Sequence, residues 1–213
     1  TYRPHDCHVE GDWSQAAFFL CMAALSPTGA PVEIHGLRDK SLQGDKSCVE
    51  WFRRFGLEVS WRGDTLSACN PRADQPYGGL RGLTIDASQI PDMVPALAVC
   101  AAFSQGETRI VNAQRLRLKE SDRLAAMAEA ISGLGGRAEA TADGLVIQGA
   151  PWLQGGTVQG KNDHRVVMAL AAAALRCKSP VGVTDAQSIR KSYPGFFQDF
   201  TKLGGNVHVL DLG

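Results

Sequence analysis

The sequence carries no excess of either charge: 22 Lys and Arg stand against 22 Asp and Glu. That balance excludes the broad basic surface by which proteins bind nucleic acid or anionic membranes without specificity. No apolar run approaches the ~20 residues of a membrane span, the longest strongly apolar stretch being Val166–Leu175. No C-x-x-C pair or regular framework joins the six cysteines (Cys7, Cys21, Cys48, Cys69, Cys100, Cys177), which therefore read as reduced thiols of a cytoplasmic protein. His5, Cys7 and His8 lie close together, but nothing supplies further ligands at zinc spacing, so no metal site is expected. Phosphate-binding G-x-x-x-x-G-K-[ST], dinucleotide G-x-G-x-x-G and nucleophile-elbow G-x-S-x-G motifs are all missing. The chain starts at Thr1 with no basic or apolar leader, and is expected to be cut from a longer protein.

What remains is a 213-residue chain, 44% hydrophobic and 21% charged, enough for one large domain or two small ones. Its main feature is self-similarity. An Ala-rich helix, a short β run, a polar loop, an amphipathic helix closed by glycine, and a strand follow one another three times. The inner helices are expected at Ser14–Leu25, Asp92–Phe103 and Asp163–Leu175, each apolar nearly all round and therefore buried. The β runs are Val32–His35, Thr108–Val111 and Val181–Val183, and the later strands include Leu57–Trp61 and Val207–Val209. Gly56, Gly135 and Gly204 stand where the amphipathic helices need a left-handed residue to stop. Leu124, Met127, Ala128, Ile131 and Leu134 form one helical face, and Phe196, Phe197, Phe200 and Leu203 form another. Ser192 before Tyr193-Pro194 reads as a helix N-cap. Pro71–Gly82 and Ala150–Gly160 separate the copies, which run about 9–70, 83–149 and 156–210. Three copies of this length fit a closed pseudo-threefold α/β domain better than an open array.

Charge collects in the loops that open onto helix N-termini: Asp92; Arg115, Arg117, Lys119, Glu120, Asp122 and Arg123; Asp163, His164 and Arg165; Arg190 and Lys191. Cations there oppose the helix dipole, so several of them imply an anionic ligand with phosphate or carboxylate groups. Taken singly, each has a plain structural reading. Glu120 and Arg123 could pair at i,i+3, Asp92 and Asp163 could be caps, and Lys191 could be solvated. Matching places in the three copies argue that folding gathers them at one end of the domain.

Leu118-Lys119-Glu120-Ser121-Asp122-Arg123-Leu124, Asn162-Asp163-His164-Arg165 with Met168-Ala169-Leu170, and Lys191-Ser192-Tyr193-Pro194 resemble the C-terminal half of the 5-enolpyruvylshikimate-3-phosphate synthase family. Val9–Ser14 and Ile90-Pro91-Asp92 match it in order and approximate distance. The resemblance implies an inside-out α/β barrel of three β/α units, with inner helices and outer mixed sheets, forming one domain of a two-domain enzyme. The implied reaction transfers the enolpyruvyl group of phosphoenolpyruvate to the 5-hydroxyl of shikimate 3-phosphate and releases phosphate, without metal or cofactor. In that frame Arg123, Arg165 and Lys191 would bind phosphoenolpyruvate, where arginine forks suit carboxylate and phosphate. Asp92 would accept from the attacking hydroxyl, Lys119 would contact shikimate 3-phosphate, and Glu120 would handle protons at the methylene carbon. The division of proton transfers among Asp92, Lys119 and Glu120 stays open. His164 and Asp163 would orient their neighbours, and Arg115 has no assigned role.

The other domain, which in that family supplies much of the shikimate 3-phosphate site, cannot be found in this sequence, so the resemblance implies that the chain alone is inactive and that the face toward the partner domain is exposed and strongly cationic in its centre. Three other readings compete: a non-catalytic anion-binding half-module, a UDP-N-acetylglucosamine enolpyruvyl transferase, which lacks the K-E-S-D-R block, and a phosphate cyclase acting on RNA ends. The neutral charge and the lack of aromatics beside the basic loops speak against RNA.

Overall fold

The computed structural model describes residues 3, 4 and 6–210; Thr1 and His5, on which two of the expectations above fell, lie outside the described residues. The first unit comprises α1 (Trp13–Leu25), β1 (Val32–Ile34), α2 (Cys48–Phe55), β2 (Glu58–Arg62) and β3 (Thr65–Cys69). The second comprises β4 (Thr84–Asp86), α3 (Val94–Ala102), β5 (Glu107–Val111), α4 (Arg123–Gly133), β6 (Arg137–Ala140) and β7 (Leu145–Gln148). The third comprises β8 (Gly156–Val158), α5 (His164–Ala173), β9 (Val181–Val183) and α6 (Phe196–Lys202).

α1, α3 and α5 pack against one another at the centre. Every residue of α3, and every residue of α1 except Gln15, is buried, as a helix apolar all round requires. Their ends show that the three run in one direction. At one end the Arg165 guanidinium, in the first turn of α5, reaches Ser14 of α1 at 3.0 Å and the carbonyl of Asp92, just before α3, at 3.4 Å. At the other end Arg176, following α5, donates to the carbonyl of Leu25, the last residue of α1, at 3.1 Å. The sheets lie outside: an antiparallel β1-β3-β2, a mixed β4-β5-β7-β6, and a parallel β8-β9 pair. Mixed pairing is thus confined to the middle sheet. Phe196 of α6 lies 5.9 Å from Phe19 and 6.4 Å from Phe18, which ties the third unit back to α1.

Gly56, Gly135 and Gly204 have φ of +126°, +88° and +94°, the left-handed stops expected of them. Four local expectations need correction. Residues 91–93 form a separate 3₁₀ turn before α3, with Pro91 and Pro95 bracketing the junction. Ser192 caps nothing: α6 starts at Phe196 behind Gly195, and residues 186–191 form a 3₁₀ segment. Leu203 lies beyond the end of α6 and is half exposed. Val207–Val209 is not a strand: in the first two units the strand after the glycine folds back on a second arm, whereas none lies beside 207–209 among the described residues, and Val209 stays exposed.

The far end of the inner bundle depends on Arg176, which is 2% exposed. Its fork also donates to the Ala73 carbonyl at 3.1 Å and lies over the Trp152 ring. A cation at helix C-termini complements the dipole while satisfying carbonyls that have no helical partner. Arg176→Leu is expected to cost about 2 kcal/mol, because those buried carbonyls lose their donors, and urea unfolding will measure it.

Candidate active site

The N-terminal ends of α1, α3 and α5 form a mouth, and α4 enters it from the second unit. Two of these four helices begin with an aspartate whose carboxylate accepts from the backbone N–H two residues on: Asp12 from Ser14 at 2.7 Å and Asp163 from Arg165 at 3.0 Å. Asp122 caps α4 by accepting from Ala125 at 3.1 Å. Asp92, by contrast, makes no capping bond. Its carboxylate is free to face its neighbours.

Arg123 is the hub. It is 1% exposed, and its fork spans three carboxylates: Nε to Asp163 at 2.8 Å, Nη1 to Asp92 at 2.9 Å and Nη2 to Glu120 at 2.6 Å. The expected i,i+3 pair with Glu120 is therefore present, within a cage the sequence spacing does not reveal. Asp163 is fully buried and also accepts from Ser121 Oγ at 3.0 Å. Asp92 gathers two further cations, Lys119 at 3.2 Å and Arg165 at 3.6 Å. Lys191 joins through the next loop, its ammonium donating to the carbonyl of Asn162. Lys161 and Asn162 both hold left-handed φ, +53° and +50°, a backbone strain for non-glycine residues just ahead of the Asp163 cap.

Ionisation follows from these contacts. Burial lifts the Asp92 carboxyl, but Arg165, Lys119 and Arg123 outweigh it and hold the group below the ordinary range. Asp163 behaves alike: burial opposes ionisation, and the hydrogen bonds and charge of Arg123 overcome it. His164 is pushed down by burial first and by Arg165 next, against a partial pull from Asp163 and Glu120. Its Nδ1 is buried without a hydrogen-bond partner, 3.9 Å from Glu120 Oε1.

Asp92, Lys119, Glu120, Arg123, Asp163, His164 and Arg165 are thus brought together, with Lys191 at the edge. Arg117 is not part of the mouth; its guanidinium turns to Asp122 and to the β6–β7 turn. Arg115 and Arg190 are exposed on 3₁₀ segments. The strongly cationic centre is corrected to a mixed one, because Asp92, Glu120 and Asp163 already neutralise much of the positive charge.

Two contributors escaped the sequence reading. Ser14 accepts from Arg165, and its position two residues after a capping aspartate, the offset of Arg165 from Asp163, was the available signal. Asp45 lies in a 3₁₀ turn of the first unit, in the field of Asp92, Arg165, Asp12 and Lys119. Burial and then the charge of Asp92 push its carboxyl upward. Gln43 fixes that turn, accepting from Trp13 N at 3.1 Å and donating to the Gly11 carbonyl at 2.9 Å. No local motif marks this long-range contact.

A family model described as EPSP synthase (3-phosphoshikimate 1-carboxyvinyltransferase) matches residues 2–200. The chain belongs to this family. Among similar proteins, the 3-phosphoshikimate 1-carboxyvinyltransferases of Clostridium kluyveri and Clostridioides difficile are 41% and 42% identical to it over all of this chain. The chain spans about half the length of these curated relatives, 48% and 47%. The solved EPSP synthase of Acinetobacter baumannii superposes with a TM-score of 0.82 at 26% identity, covering 95% of this chain and 48% of that one. The three-unit α/β architecture is accordingly that of EPSP synthase, and the K-E-S-D-R and N-D-H-R segments that suggested the family are those that build the mouth. Among the described residues no helix is long and apolar enough to cross a membrane, and no group of acidic, His and Cys side chains is arranged to hold a metal ion.

Proposed function

We propose that the chain is the C-terminal domain of a two-domain cytoplasmic enzyme that transfers the enolpyruvyl group of phosphoenolpyruvate to the 5-hydroxyl of shikimate 3-phosphate, releasing phosphate, and that it does not turn over alone. The observation that carries this reading is the Asp92–Arg123–Asp163 cage with Arg165, Lys119 and Glu120 at the convergent helix ends. Arg165, Lys191 and Arg123 bind the carboxylate and phosphate of phosphoenolpyruvate. Arg123 reaches the ligand only by exchanging its partly exposed partner Glu120, whose side chain is 39% exposed. Binding therefore frees the Glu120 carboxylate to take up a proton from solvent and deliver it to the methylene carbon as the 5-hydroxyl of shikimate 3-phosphate attacks the adjacent carbon. Asp92, held ionised by its cations, accepts from that hydroxyl, and Lys119 beside it contacts shikimate 3-phosphate. Glu120 then takes a proton back from the new methyl group as phosphate leaves, which regenerates the carbon–carbon double bond as the enol ether of the product. Asp163 and His164 orient Arg123 and Glu120.

Exposed apolar side chains rim this charged mouth: Leu42, one residue before the Gln43 clamp, Leu118, one before Lys119, and Val9, three before Asp12. An apolar rim around a polar centre suits a contact face for another protein surface, here the missing N-terminal domain. Mixing the chain with the N-terminal half of a related enzyme tests the reading. Phosphate release that requires both substrates is expected from the mixture and from neither half alone. Turnover by the chain alone, or none from a mixture shown to form a complex, overturns it.

A further inference from the structure

The segment that carries Lys119 and Glu120 has no regular structure between the 3₁₀ turn ending at Leu118 and the start of α4 at Arg123. Leu118 is 88% exposed, so apolar packing does not hold this arch down. One guanidinium closes it. Arg117 Nη1 meets the Asp122 carboxylate at 2.6 Å, and the other oxygen of that carboxylate caps α4. The remaining edge of the same fork donates to the β6–β7 turn: Nη2 to the Thr141 carbonyl at 2.5 Å and Nε to the Ala142 carbonyl at 3.2 Å. The turn is itself fixed. Ala113 N donates to the Asp143 carbonyl at 2.6 Å, and Thr141 N to the Gly144 carbonyl at 2.9 Å. At Gly144 a Cβ would lie 1.8 Å from the Ile110 carbonyl oxygen, so the turn sits directly on β5 with no room to slide.

We propose that Arg117 is a positioning residue: it fastens the 118–122 arch to the β6–β7 turn and thereby sets Lys119 against Asp92 and Glu120 against Arg123. The importance of that placement for turnover rests on the functional reading above. The outer sheet of the second unit then serves as the pedestal of the mouth, with Arg117 as its only side-chain strut among the described residues that joins turn and N-cap. A lysine cannot reproduce the strut, because a point ammonium on a flexible stem lacks a planar fork aimed at three acceptors.

The test uses Arg117→Gln and Arg117→Lys with two separate readouts. In the 213-residue chain alone, amide exchange of Ala125, whose N–H the Asp122 carboxylate caps, and of Thr141 in the β6–β7 turn is expected to quicken about tenfold or more, while that of α1, α3 and α5 stays unchanged. In the mixture with the N-terminal half, kcat is expected to fall about 10- to 100-fold with KM for both substrates nearly unchanged, as for a misplaced but intact catalytic group. Methylguanidinium added to Arg117→Ala should return part of that loss. Unchanged exchange at Ala125 and Thr141, or acceleration spread equally over the inner helices, overturns the positioning role whatever the activity. A wild-type mixture without turnover would count against the functional reading and leave the exchange result to decide the role of Arg117.

Discussion

Asp163→Ala should cost the chain about 4 kcal/mol of unfolding free energy, since removing one partner of a buried pair strands the other charge. The carboxylate is fully buried and takes four hydrogen bonds: two from Arg123, one from the Arg165 amide and one from Ser121. Deleting it leaves Arg123 Nε without an acceptor in a dry site and uncaps α5, the latter alone worth about 1 kcal/mol. Asp92 and Glu120 remain on the other edge of the fork, which keeps the cost near the middle of the range for broken buried pairs. Asp163→Leu combined with Arg123→Met should recover part of the loss, because neither charge then remains to be solvated. Urea denaturation of the parent, Asp163→Leu, Arg123→Met and the double variant measures the cycle, and an Asp163→Ala loss below about 1 kcal/mol would contradict the buried-pair account.

The same network fixes the sign of acid sensitivity. Asp92 and Asp163 ionise more readily folded than unfolded, so their contribution is present above the ordinary aspartate range near pH 4 and disappears as pH falls through their lower folded values. His164 is depressed too; the folded state resists its protonation, and stability begins to fall below about pH 6.5, the ordinary histidine value. Asp45 has the opposite sign, because its raised pKa favours the folded state only while the carboxyl is protonated.

What the sequence could show is what repeats or lies close along the chain. Ala-rich runs without a polar face announced α1, α3 and α5, and the glycines at 56, 135 and 204 marked the helix stops, because both signals are local. The charged motifs gave the members of the mouth but not their pairing. Arg123 meets Asp92 across 31 residues and Asp163 across 40, distances closed only by the threefold packing. Reading the cations as waiting for an outside anion overlooked the anions the fold already provides. Arg117 looked equivalent to Arg123 by composition, yet besides Asp122 its acceptors are backbone carbonyls of a turn more than 20 residues away, which no side-chain pattern records. Val207–Val209 alternates as a strand should, but an edge without a partner forms no ladder.

Glu120→Gln in the mixture of chain and N-terminal half is expected to lower kcat by about 10²- to 10⁴-fold, the usual worth of a positioned proton carrier. The amide can still accept from Arg123 Nη2, where the carboxylate now sits at 2.6 Å, so the cage and the binding of both substrates should survive. Only the proton is lost. That separates it from Asp92→Asn, which withdraws the common partner of Lys119, Arg123 and Arg165 and should disturb KM as well as kcat. A more direct reading comes from the methylene hydrogens of phosphoenolpyruvate. If one proton is added to form a methyl group and another is removed with departing phosphate, those hydrogens exchange with deuterated water during turnover. Glu120→Gln and Asp92→Asn should each slow exchange and product formation together, the first by withholding the proton and the second by hindering the hydroxyl attack that accompanies its delivery, so that KM is what separates them. Exchange within threefold of the parent rate in Glu120→Gln would move the proton to another group at the mouth, and Lys119, 3.2 Å from Asp92, is the side chain placed to carry it.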